Sequence, residues 1–142
     1  MQTQNFKNHS RMVPGYHYVT LPLLLLVLIG SVVNLVNSAH ENVYSASLLV
    51  VLAIATILIA FFARVFALKA QDRAIRAEEN FRHYIATGQQ LDSRLRMAQI
   101  IALRFAGDDE FVALAKKAAN ENMSAKDIKM AIQHWKGDYY RA

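Results

Sequence analysis

ASLLVVLAIATILIAFFARVFALKAQDRAIRAEENFRHY, residues 46 to 84, decides how this chain is read. Steps of three and four pick out Ala46, Leu49, Ala53, Thr56, Ala60, Ala63, Ala67, Ala70, Ala74, Ala77, Phe81 and Tyr84, a heptad-like seam. The stretch holds nine alanines, and all but Ala55 lie on the seam. Alanine is a good helix former and small residues are common in membrane helices, which accounts for their number but not for their alignment. The first half is apolar enough for lipid and the second charged enough for water, so one helix is expected to carry one face through both solvents.

The 54% apolar share and mean hydropathy of +0.15 exceed those of an ordinary soluble domain, at roughly 45–50% apolar. The excess lies in two blocks. Val19 to Val36 carries no charged residue and, at roughly 18 residues, just reaches the length needed to cross a bilayer. Pro22 falls in its first turn, where a missing N–H costs little. A cleavable signal peptide is the rival reading, because Asn37-Ser38-Ala39 has a small residue last; the long polar lead-in with Pro14 opposes it. Tyr44 to Leu68 is the second span, and no Gly or Pro interrupts the chain from Tyr44 to Thr87. The helix therefore extends through Lys69, Asp72, Arg73, Arg76, Glu78, Glu79 and Arg82, on the order of 60 Å in all.

The loop from Ser38 to Val43 has no lysine or arginine, whereas Lys7 and Arg11 on one flank and Arg64 and Lys69 on the other are basic. The positive-inside rule then puts both termini in the cytoplasm of a multi-pass inner-membrane protein. Arg64, Lys69, Arg73 and Arg76 directly follow the second span and are expected to contact anionic lipid headgroups, at about 1 kcal/mol per basic residue.

Thr87-Gly88 is the first stop signal. Beyond it Leu91, Leu95, Ala98, Ala102 and Phe105 predict a helix to Ala106-Gly107. Asp108 is placed to cap a helix with Phe111, Leu114, Ala115 and Ala118 on one face, ending at Asn120 to Asn122. Ser124-Ala-Lys-Asp127 fits a capping box before Ile128, Ala131, Ile132 and Trp135, with Gly137 as the stop. Such a three-helix unit of roughly 50 residues is too small to be very stable alone and is expected to lean on Phe81, Tyr84 and Ile85. The domain reading is 1–18, a cytoplasmic lead-in; 19–68, a transmembrane hairpin with spans 19–36 and 44–68; 69–86, a cytoplasmic helix extension; and 87–142, the C-terminal unit.

Chemistry-bearing residues are sparse. With no cysteine, disulfides and thiolate chemistry are excluded. His9, His17, His40, His83 and His134 form no i, i+4 pair or ligand cluster, which favours surface or structural roles over a metal. Asp108, Asp109 and Glu110 suit a helix N-terminus better than a catalytic cluster. Gly30, Asn34 and Asn37 would give the first helix a small or polar face toward the second. The net charge of +5 and the basic set Arg94, Arg96, Arg104, Lys116, Lys117, Lys126, Lys129, Lys136 and Arg141 raise the possibility of ribosome or nucleic-acid binding, but the acidic residues among them weigh against it.

Asn8-His9-Ser10-Arg11 with Pro14 and His17, the run Gln99 to Ala106 with its acidic sequel, and Ser124 to Ile128 leading to Trp135 carry a family likeness. Across nearly its whole length the chain resembles an uncharacterised family of small bacterial two-span membrane proteins, a domain of unknown function sometimes labelled transporter permease. The resemblance implies two spans and brings no catalytic residues. Two spans cannot enclose a substrate path without oligomerising.

The expectation is therefore an all-α, non-enzymatic membrane protein without cofactor, metal or small-molecule substrate. It would associate, as a homo-oligomer or with other subunits of a membrane complex, through Ala53, Ala60, Ala63, Ala67, Ala70, Ala74, Ala77, Phe81 and Tyr84. A membrane-tethered ribosome or nucleic-acid binder and an oligomeric channel or transporter subunit are the alternatives.

Overall fold

The computed structural model describes residues 4–8 and 12–139. His9, Ser10, Arg11 and Arg141 lie outside them. The described residues are all-helical, with no strand beyond one isolated bridge between Ala106 and Trp135. A π-wound turn, Gly15–Thr20, runs into α1, Leu21–Val36; a 3₁₀ turn, His40–Asn42, leads to α2, Val43–Thr87; and α3, Met97–Leu103, α4, Asp108–Asn120, and α5, Ala125–Ala131, follow. Two helical stretches, Gly15–Val36 and His40–Thr87, are long and apolar enough to cross a membrane. The chain divides into two compact units, Arg11–Ala67 and Met1–Ser10 with Leu68–Ala142.

In the first unit the helix starts earlier than Val19, because Pro22 does not open it. Proline has no N–H for the carbonyl four residues back, and the turn before it is wound wider: the Leu21 N–H reaches the Tyr16 carbonyl, and the Thr20 hydroxyl the Gly15 carbonyl at 3.0 Å. Buried or half-buried positions on α1 run Leu24, Leu28, Ser31, Leu35; those on α2 include Ala46, Val50, Ala53, Ile57, Ala60 and Arg64. Among the described residues here Ser31, Ala46 and Ala53 are the buried ones, so small side chains set the closeness of the helices. Gly30, Asn34 and Asn37 are exposed, a correction to the face expected of the first helix. Asn37 instead folds its amide back onto the Val33 carbonyl at 2.8 Å.

In the second unit α2 ends at Gly88, whose φ of 73° is open to glycine at little cost. Leu91 and Leu95 are buried as expected, yet residues 89–96 are not helical. Asp92 accepts the Arg94 N–H at 2.9 Å and makes a local turn, and α3 opens where the Arg96 N–H meets the Gln99 side chain at 2.7 Å. Gln99 is 2% exposed and bonded at both ends of its amide, the nitrogen donating to the Met123 carbonyl at 2.8 Å. The core joins Leu91, Leu95, Ile100, Leu103, Phe105, Phe111, Leu114, Ala118, Ile128 and Ile132.

The last helix also stops early. The sequence places its end at Gly137, but Ile132 is already extended, and the Glu110 carboxylate accepts the N–H groups of Gln133 and His134. The chain then bonds alongside Ala106, Gly107 N–H to the His134 carbonyl at 2.7 Å and Lys136 N–H to the Phe105 carbonyl at 2.8 Å. That places Trp135 5.3 Å from the Phe105 ring. Residue Gly107, not Asp108, caps α4.

Candidate functional site

Within the second unit α2 has two unlike faces. One is held by the C-terminal helices: Ile75 and Glu79 are 6% and 8% exposed, and Arg82 donates to the Asp108 carboxylate at 2.7 Å, to the Ala106 carbonyl at 2.7 Å and to Glu79 at 3.1 Å. The Arg82 guanidinium lies 4.1 Å from the Phe111 ring centroid, and His83 stands edge-on to the same ring. Burial pushes the Glu79 carboxyl above its ordinary range against the pull of Arg82, while the hydrogen bond and charge of Arg82 lower Asp108. Arg82 thus joins α2 to the start of α4.

The other face is open. Ala70, Ala74 and Ala77 are exposed, and Phe81, Tyr84 and Ile85 are 65%, 55% and 69% exposed. The C-terminal unit leans on Ile75, Glu79, Arg82 and His83 rather than on Phe81, Tyr84 and Ile85, a correction to the expected packing. Of the remaining seam residues, Ala53 is buried and Ala60 half-buried within the Arg11–Ala67 unit, and Ala63 and Ala67 are exposed. Beside the open face an open groove of about 1040 Å³ is walled by Ala74, Phe81 and Ile85 on α2 and by Phe111, Lys136 and Tyr139 opposite.

The basic residues divide similarly. Lys69, Arg73 and Arg76 are exposed, whereas Arg64 is half-buried with its guanidinium 5.7 Å from the Tyr16 ring, whose hydroxyl donates to the Ala60 carbonyl at 3.3 Å. In the C-terminal unit Arg94 bonds Asp92 and Asn120, Arg96 bonds Asn122, and Arg104 pairs with Asp138 at 3.0 Å. Among the described residues no group of three histidine or carboxylate side chains is placed to hold a metal ion.

The acidic run at α4 does more than face a helix dipole. Asp108 meets Arg82, Glu110 meets two backbone N–H groups, and Asp109 bonds His134, which lowers the carboxyl and raises the imidazole. Gln4 exchanges two bonds with the backbone of Asp138, at 3.1 and 2.9 Å. No local pattern announces these contacts, because their partners stand 26 and 134 residues apart for Arg82–Asp108 and Gln4–Asp138.

The chain matches no curated protein and no solved structure. The model of one family, described as a family of unknown function, matches residues 1–142, and the chain therefore belongs to that family, DUF6526.

Proposed function

We propose that this protein is a non-enzymatic scaffold of the bacterial inner membrane: a two-span hairpin with both termini in the cytoplasm, serving as an accessory subunit of a membrane complex or a self-associating adaptor. The observation that carries the reading is the open face of α2. Ala70, Ala74, Ala77, Phe81 and Tyr84 stay exposed while the C-terminal unit holds the other side through Ile75 and Glu79. Large aromatic side chains exposed beside close-packing alanines suit a protein contact.

The topology is supported by the lysine-free, arginine-free loop between the helices and by the Gln4–Asp138 bonds, which put residues near both ends of the chain in one unit. Exposed Lys69, Arg73 and Arg76 suit a surface near anionic headgroups. A scaffold is preferred to a nucleic-acid binder because Arg94, Arg96 and Arg104 are engaged within the unit. Replacing Ala74 and Ala77 with tryptophan should abolish co-purification and crosslinking in mild detergent; unchanged association would overturn the reading.

A further inference from the structure

The geometry points to a second copy of this chain as the occupant of the open face, joined as a parallel two-helix pair through the α2 segment after Leu68. This rests on reading that face as the contact surface and adds the partner, the orientation and the register. In heptad terms Ala74 and Phe81 fall at a, and Ala70, Ala77 and Tyr84 at d. Ile75 and Arg82 then fall at b and Glu79 at f, so the C-terminal helices pack on the b and f side and, across the groove, border the seam at Ala74 and Phe81 while leaving Phe81 65% exposed. A second α2 can approach without displacing them.

Charge complementarity selects the partner. Arg73 is at g and Glu78, five residues on, is at e; both are exposed. In a parallel pair a g residue of one helix faces the e residue five positions on in the other, so Arg73 meets the Glu78 of the second copy, and two-fold symmetry forms the contact twice. An antiparallel pair sets g against g and e against e, leaving Arg73 facing arginine, asparagine or threonine and Glu78 facing glutamate, glutamine or isoleucine, never an opposite charge. Two copies inserted in one orientation can bring these helices together only in parallel. The alanines permit close approach, while Phe81 and Tyr84 supply the larger apolar area.

The absence of natural cysteine makes the test direct. Single cysteines are placed at Ala70 and Ala77, and at Arg76, an exposed c position, in the full chain in membrane vesicles, and oxidised. Disulfide-linked homodimers are expected from positions 70 and 77 and not from 76. In the Ala77→Cys background, Arg73→Glu or Glu78→Arg should each lower the dimer yield about threefold, and the two together should restore it. Equal crosslinking at Arg76, or no restoration by the double reversal, would overturn the parallel register. Seam cysteines that link only to a different protein would overturn the homodimer and leave the contact reading standing. No crosslinked product of any kind would overturn both.

Discussion

The two ends of α2 are held by different physics. Among the described residues of the Arg11–Ala67 unit the buried ones are Ser31, Ala46 and Ala53, all small, while leucines such as Leu26, 66% exposed, face outward. In the unit that begins at Leu68 the core is made of Phe105, Phe111, Leu103 and Ile128, each 1% exposed or less. For the two spans proposed above, lipid would give apolar side chains no reason to leave it, and such a hairpin would be fixed by close packing of small residues. Water drives large apolar groups together, and the C-terminal unit shows it.

The largest break in that comparison should come from Phe105→Ala, expected to cost about 3–5 kcal/mol of the C-terminal unit's stability. Leu26→Ala, the matching truncation in the hairpin, should change stability by less than about 0.5 kcal/mol; both are read by denaturation in detergent.

Next is Arg82→Ala, which leaves Glu79 buried without its hydrogen-bonded cation and should cost about 2–3 kcal/mol. The Glu79 pKa is raised in the fold, so its ionisation lowers stability as pH climbs through that raised value and spares it below the ordinary glutamate range. Glu79→Gln in the Arg82→Ala background should recover part of the loss and flatten this dependence in a pH series of melts.

Gly107→Ala should follow, at about 1–2 kcal/mol, since a Cβ there would sit 3.0 Å from the His134 backbone carbonyl. The smallest effect is expected at the exposed pair of His134 and Asp109. A raised imidazole contributes below its unfolded pKa and is lost as pH rises through the folded one; a lowered carboxyl contributes above its unfolded pKa and is lost as pH falls through the folded one. The pair therefore acts between those two folded values. An NMR titration should find His134 above about 6.5, returning toward it in Asp109→Asn.

How much of this was legible follows from the range of each cause. The unbroken α2 could be read because its signals are local: no Gly or Pro from Tyr44 to Thr87, then Gly88. The capped start of α5 could be read likewise, the Ser124 hydroxyl accepting the Asp127 N–H. The end of that helix could not, because Glu110 captures the N–H groups of Gln133 and His134 from across the unit. Residues 89–96 misled through Leu91 and Leu95, which are buried at a helical spacing without being helical. The seam was visible as a pattern, but which face the C-terminal unit would take depended on Arg82, whose partners Ala106 and Asp108 lie more than a helix away in sequence.

The central claim, that the open face of α2 is a contact surface, is tested most directly by labelling cysteines placed one at a time at Ala70, Ala74, Ala77 and Phe81 in native membranes. The account predicts slow labelling at these four positions relative to Arg76, and fast labelling once Ala74→Trp or Ala77→Trp is added in the same chain. Labelling as fast as at Arg76 in the unsubstituted background would contradict it.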